Sequence, residues 1–241
     1  MNKRPIGILK CFSKEEYRQD FLNGNIYFKA SGYFRKLEDT YRGDKNDGKK
    51  PIDVKLSEIS IKKAGEVVVP NSELLNVVLG FDGDDKVPIF CCSALNYNIL
   101  NCNGNRYTLK EEFIKEMQQF GKYFAYVSWN EFANKMDAIS QAKRIGYEIG
   151  EVTYADIAKK YAKESLAVNN LIEQYEVFFY KDESYKWQNE IRVILDSPDG
   201  SLIGDNDYYV LNVGGFSNVR LWDINELNKV TFYNGPKNSD Q

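Results

Sequence analysis

Hydrophobic and polar positions change their period repeatedly along this chain, and the changes mark its elements. Ile6 to Phe12 is an apolar run of strand length. Ser13-Lys14-Glu15-Glu16 follows, a capping-box pattern that predicts a helix from Lys14 to Asn23 with Gly24 as its stop. Ile26-Tyr27-Phe28 predicts a second strand. Phe34 to Gly48 is charged and punctuated by Gly43 and Gly48, as a helical turn running into a loop would be. Strands are predicted at Val54 to Ile61, Glu66 to Val69, Leu74 to Phe81 and, most strongly, Val87 to Cys92, the second and third of them joined by Pro70-Asn71-Ser72.

Two further capping boxes begin at Thr108 and Ser128, each with a glutamate three residues on. They predict helices to about Phe120 and Arg144, closed by Gly121 and Gly146, with a strand at Tyr123 to Val127 between them. Tyr147 to Tyr154 reads as a strand and Ala155 to about Tyr175 as a helix with a lysine-rich outer face. Tyr208 to Val213 and Lys229 to Phe232 are late strands, and Asn234 to Gln241 a frayed tail. Helices and strands mix without a βαβ rhythm or an internal repeat. The expectation is an α+β fold, with a largely antiparallel or split sheet and flanking helices, in one domain over residues 1–233.

The stretch from Tyr185 to Leu195 carries the candidate chemistry. From Glu190 onward it alternates: Ile191, Val193 and Leu195 share one face, while Glu190, Arg192 and Ile194 share the other. A carboxylate and a guanidinium thus lie on one face, about 7 Å apart along the strand. Such a strand can display a catalytic acid. It can equally be half-exposed, with a solvated ion pair that contributes little to stability.

Composition narrows the options. The chain of 241 residues has no histidine, which removes Ser-His-Asp and Cys-His machinery, His-ligated metals and imidazole acid–base chemistry. Acid–base work must then fall to Asp, Glu, Lys, Tyr or Cys. Cys11, Cys91, Cys92 and Cys102 have no C-x-x-C spacing, so free thiols are expected rather than zinc or a disulfide framework. Residues 1–10 carry no signal-peptide pattern and no segment reaches membrane-spanning length, so a cytoplasmic protein without a membrane partner is expected. A net charge of −3 argues against broad electrostatic binding to duplex nucleic acid.

Several motifs fail on inspection. Asp44 to Asp47 begins like a calcium loop, but Lys49 stands where the loop glycine belongs and Lys55 where the bidentate glutamate belongs. Asp82, Asp84 and Asp85 surround Gly83 as a hairpin turn would. Neither a P-loop nor a G-x-G-x-x-G fingerprint occurs. What survives is a polar set near predicted strand ends: Ser13, Arg42, Asp44 and Glu190 with Arg192. Arg, Glu and Asp without His suit the stabilisation of cationic sugar intermediates or the binding of phosphates.

Two resemblances attach to these residues. Cys11-Phe12, Phe21 to Tyr27, Tyr33-Phe34-Arg35, Leu37-Glu38, Arg42 to Lys45 and Tyr185…Glu190-x-Arg192 resemble a family of bacterial and phage proteins, some encoded near defence genes. That family carries no activity over. The order of Ser13 to Gly24, Arg42, Val87-Pro88-Ile89-Phe90 and Gln188-Asn189-Glu190-Ile191-Arg192-Val193 also resembles that of DarT-type ADP-ribosyltransferases. This second resemblance implies NAD as substrate, in a cleft between the first strand–helix unit and the Glu190 strand. It implies Glu190 as the catalytic glutamate and Arg42 as the arginine acting beside it; Ser13, Asp44 and Arg192, from the polar set above, are the candidate residues for binding the ligand. The acceptor it leaves open is protein, single-stranded nucleic acid or water. The chain departs from the pattern in lacking the opening His-Phe-Thr, for which it has Lys10-Cys11-Phe12-Ser13. The alternative is a non-enzymatic protein that binds a nucleotide or a partner protein, with Arg42, Asp44, Glu190 and Arg192 in structural ion pairs. A metal-dependent nuclease would need a lysine among clustered carboxylates, and Arg192 stands in that place.

Overall fold

The computed structural model describes residues 4–37, 43–52, 61–63, 66–69, 77–80, 82–162, 175–197 and 200–233. β1 (Gly7–Phe12), α1 (Glu15–Leu22), β2 (Asn25–Ala30) and α2 (Ser31–Lys36) form the first unit. Four short strands follow: β3 (Lys50–Ile52), β4 (Ile61–Lys63), β5 (Glu66–Val69) and β6 (Val77–Leu79). β7 (Pro88–Leu95) leads through the hairpin β8 (Leu100–Asn103) and β9 (Arg106–Leu109) to α3 (Glu111–Met117), β10 (Tyr123–Ser128) and α4 (Trp129–Lys143). The chain continues as β11 (Tyr147–Glu151), β12 (Thr153–Ala155), α5 (Ile157–Ala162), β13 (Tyr180–Asp182) and β14 (Glu190–Leu195). It ends with β15 (Tyr208–Asn212), β16 (Val219–Asp223) and β17 (Thr231–Tyr233).

The fold is α+β, and its frame is an eight-stranded antiparallel sheet that forks at β7. Along one edge of β7 runs β14, from Glu190 opposite Ser93 to Ile194 opposite Ile89. Two strands share the other edge. β1 pairs at Ser93 to Leu95, and β2 pairs at Pro88 and Ile89. Between them Phe90, Cys91 and Cys92 have no strand partner on that edge, and the two arms diverge. β1 leads to β10 and β16, and β2 leads to β15. A buried carbonyl must still find a donor. At the fork the Cys91 carbonyl accepts from the Lys10 ammonium at 2.6 Å.

Alternation along the strands sorts the core into layers. Ile191, Val193 and Leu195 join Ile8, Phe90 and Cys92 on one face, covered by Phe21 of α1 and by Phe132 and Met136 of α4. On the other face, Leu9, Leu95 and Phe124 pack under Phe113, Ile114 and Met117 of α3. Farther along that face, Val87, Ile89 and Ile194 pack against Tyr175 and Phe178. Among the described residues no helix is long and apolar enough to cross a membrane.

Most predicted elements are present, with shifts that have physical causes. Ser128 does cap α4, accepting from Glu131 N at 3.3 Å, but the helix stops on Arg144 in the left-handed region rather than at Gly146. The Ser13 box does not form: Lys14 is the N-cap of α1, and no side chain caps it. Thr108 is not a cap at all. It lies in β9, opposite Asn101 and Thr231, where the pairing available to β9 outweighs a local capping pattern. The β8–β9 hairpin and β16 went unanticipated. Tyr147 to Tyr154 breaks at Val152, whose N–H turns to the Glu190 carbonyl, and β12 beyond it pairs in parallel with β13. β5 pairs with β4 and β6 with β3, not with each other. Most of the Val54 to Ile61 strand, residues 163–174 of the long helix, and the tail lie outside the described residues.

Gly24 follows α1 with φ +88°, and a Cβ there would run into the Gly214 backbone. Both the left-handed conformation and the close approach require glycine. Gly24→Ala is expected to destabilise the protein by about 3 kcal/mol, the sum of backbone strain and overpacking. Urea unfolding of the two proteins measures it, and a loss below about 0.5 kcal/mol would contradict the close approach.

Candidate functional site

Glu190 is aimed by the turn that precedes it. A 3-10 turn over Glu183–Gln188 ends on Asn189, which adopts φ +44°. Asparagine tolerates that conformation better than most residues. The Asn189 amide is also pinned, donating to the Ala94 carbonyl at 2.7 Å and to Asn96 Oδ1 at 3.0 Å. β14 therefore starts with a fixed rotation, with Glu190 and Arg192 on the face opposite the aliphatic residues.

That face is not solvated. Arg192 is 0% exposed and Glu190 6%, so the alternative of a half-exposed strand with a solvated ion pair is overturned. The strand is central, and its polar face is roofed by the loop over residues 43–49 and by residues 175–188. Arg192 Nε donates to Glu190 Oε1 at 2.7 Å. Its two terminal nitrogens make a bidentate pair with Asp47, both bonds 2.7 Å, and one of them also donates to the Phe178 carbonyl at 2.6 Å. Lys181, buried in β13, donates to Glu190 Oε2 and to Gln188 Oε1, each at 2.8 Å. Two carboxylates and two cations thus neutralise each other in the interior, the condition under which buried charge is tolerated.

The loop that supplies Asp47 is itself held. Arg35 of α2 donates to the Asp47 carbonyl and to Asp84 Oδ1, each at 2.8 Å, and Tyr185 donates to the Gly43 carbonyl. Asp44 caps the turn through Asn46 N–H, yet its Oδ2 is buried without a hydrogen-bond partner among the described residues. Burial, and then the Asp47 charge, push the Asp44 carboxyl up. Glu190 goes the other way: burial would raise it, but Arg192 and Lys181 outweigh that and hold it well below the usual carboxylate range. Glu190 is therefore an ionised carboxylate at neutral pH.

A cleft of about 340 Å³ opens in the fork of the sheet. Glu190, Gln188, Lys181 and the half-buried Cys91 form its inner end. Lys10 and Ser13 line it from the β1 side and Lys29 from β2, and Tyr17, Tyr33, Phe34 and Phe120 add aromatic walls. The size is at the lower end for small-molecule sites. Burial, and then the Glu190 charge, raise the Cys91 thiol well above its ordinary range.

The site residues expected from sequence separate into three groups. Glu190 and Ser13 line the cleft. Arg192 and Asp44 do not: Arg192 stands behind Glu190 with no surface for a ligand, and Asp44 is buried beside Asp47 in the roof loop. Arg42 lies outside the described residues. Sequence reasoning missed Lys10, Lys29, Lys181 and Asp47. Asp47 had a visible signal, an acidic loop whose calcium pattern fails, but nothing local pairs it with Arg192. Among the described residues no group of three or more Asp, Glu or Cys is arranged to hold a metal ion.

The Glu190 shift fixes the sign of a pH dependence. Its pKa is lower folded than unfolded, so its contribution is present above the ordinary value of 4.5 and is lost as pH falls below it. Wild-type stability should therefore decline as pH drops from about 5 toward 3, while Glu190→Gln should lack this part of the slope. Chemical denaturation across that range tests it. Parallel pH profiles for the two proteins would mean that Glu190 is not held ionised by its neighbours.

Compared with protein-family models, curated proteins and solved structures, this chain matches none.

Proposed function

We propose that the fork cleft binds NAD and that the protein breaks its N-glycosidic bond, transferring ADP-ribose to an acceptor or to water. The observation that carries this reading is the ionised carboxylate of Glu190 at the inner end of the cleft. As the bond between ribose C1′ and the nicotinamide nitrogen breaks, the electron pair leaves with neutral nicotinamide and positive charge develops on the sugar. A fixed, desolvated carboxylate opposes that charge without reorganising. No proton need move to or from Glu190, which agrees with its depressed pKa and with a chain that has no histidine. In hydrolysis water then adds at C1′ and its proton passes to solvent. Lys10, bonded to the Cys91 carbonyl, and Lys29, paired with Asp207 at 3.2 Å, line the cleft and would turn spare donors to the phosphates, while the aromatic walls would offer faces to the rings.

A second reading rests on a specific observation. Both Glu190 oxygens are already held, by Arg192 and by Lys181. If those bonds persist with ligand present, the quartet is a brace, and the cleft belongs to a protein that binds a nucleotide or a protein partner without chemistry.

Two variants separate these readings. Glu190→Gln and Asp47→Asn each strand a buried guanidinium, and each should cost roughly 3 kcal/mol of stability. Only Glu190 lines the cleft. In nicotinamide-release assays run below both melting temperatures, Glu190→Gln should lose on the order of a hundredfold or more, and Asp47→Asn far less. Equal losses, or none, would favour the brace. Calorimetry that detects no NAD binding to the wild-type protein would retire the NAD reading altogether.

A further inference from the structure

The fork cleft is smaller than the ligand it is read to hold. Its volume of about 340 Å³ is at the lower end for small-molecule sites, room for one nucleotide unit rather than the two of NAD. On the reading above, Glu190 sets the nicotinamide riboside half at the inner end. The adenosine half then has to leave the cleft, and the strand register gives its course across the sheet.

Residues directly opposite on paired strands share a face, as do residues two apart along one strand. Glu190 stands opposite Ser93 of β7, and Ile89 of β7 stands opposite Lys29 of β2, which stands opposite Tyr208 of β15. Glu190, Cys91, Lys29, Tyr27 and Tyr208 therefore project from one face of the sheet. From Glu190 to Tyr208 the path is three strands across and four residues along, about 20 Å by ordinary strand spacing and rise. An extended dinucleotide covers that span and a mononucleotide does not.

Four elements bring tyrosines to the outer part of this path. Tyr17 of α1 and Tyr33 of α2 line the cleft beside Lys29. Lys29, paired with Asp207 at 3.2 Å, has its ammonium 4.5 Å from the Tyr33 ring centroid and 5.3 Å from that of Tyr208. Tyr208 in turn meets Tyr27 diagonally across the strand pair, with ring centroids 6.0 Å apart. The Tyr27 hydroxyl donates to Asp20 at 2.9 Å, and that bond, with Tyr208 and Tyr17 close by, keeps it above its ordinary pKa. Tyr17, Tyr27 and Tyr208 are 49%, 46% and 41% exposed, three of the eight exposed large apolar side chains among the described residues. Aromatic surface left open to water is thus concentrated where the cleft opens.

We propose that Tyr27 and Tyr208, with Lys29 between them and the cleft, form an outer subsite on which the adenine ring of NAD stacks while the nicotinamide riboside half occupies the cleft. Every base has a π-face, and stacking on a tyrosine asks for no contact at the base edge. The Lys29 ammonium, held between Tyr33 and Tyr208, lies between the two halves, where the pyrophosphate has to pass. The subsite rests on the NAD reading under Proposed function. It adds where the second nucleotide goes and which residues tell NAD from a mononucleotide.

Titration calorimetry with NAD and with nicotinamide mononucleotide tests the subsite. Wild-type protein is expected to bind NAD more tightly than the mononucleotide. In the double variant Tyr27→Ala, Tyr208→Ala, NAD binding should weaken about tenfold while mononucleotide binding stays as in the wild type. Tyr208→Phe, which keeps the ring, should bind NAD like the wild type. The unchanged mononucleotide affinity also reports an intact cleft, and Tyr208→Ala alone gives the same comparison if the double variant does not fold. Equal loss for both ligands, unchanged NAD binding in the variant, or mononucleotide binding as tight as that of NAD would overturn the outer subsite and leave the NAD reading standing. Absence of binding by either ligand to the wild-type protein would defeat both.

Discussion

The bidentate pair between Arg192 and Asp47 is the constraint on which the site depends. A guanidinium with no solvent contact must have its charge matched and its donors satisfied, or the fold loses roughly 3–5 kcal/mol. Asp47, Glu190 and the Phe178 carbonyl meet that demand from three separate segments of chain. The quartet need not add net stability over an apolar packing of the same volume. What it does is fix register. A slip of β14 by one residue would turn Arg192 into the layer formed by Ile8 and Phe90, and Ile191 toward Asp47.

The fork extends that constraint to the cleft. β7 cannot pair with β1 and β2 over the same residues, so the strands divide its edge and part around Phe90 to Cys92. An unpaired stretch inside a sheet would ordinarily be a liability. Here Lys10 supplies the missing donor to the Cys91 carbonyl, and its ammonium lies over the Phe90 ring at 4.9 Å. One side chain therefore satisfies the backbone and places a positive charge on the β1 wall of the opening. Glu190 reaches the same cleft because it is the first residue of β14, opposite Ser93 of β7.

The buried charges around Glu190 are matched in pairs: Arg192 with Asp47 and with Glu190 Oε1, and Lys181 with Glu190 Oε2. Asp44 is the element that fits this scheme least comfortably. It is a buried carboxyl with one unpartnered oxygen beside another acid, and it sits in the loop that delivers Asp47.

The sequence by itself determined the mixed α+β class, most strand positions, the Ser128 cap, the glycine after α1, and the division of β14 into an aliphatic and a charged face. These are local properties, set by side-chain alternation and by the few residues that accept unusual backbone angles. It also singled out Glu190, because a carboxylate on a strand with a strong apolar back face is visible in one dimension. Only the tertiary structure decided that this face is buried, that Arg192 supports Glu190 rather than meeting a ligand, and that Thr108 belongs to a strand. Those outcomes depend on partners far along the chain: Asp47 for Arg192, Thr231 for Thr108, Cys91 for Lys10. Charge pairing and strand pairing act between segments that only folding brings together, and no local pattern records which segment will arrive.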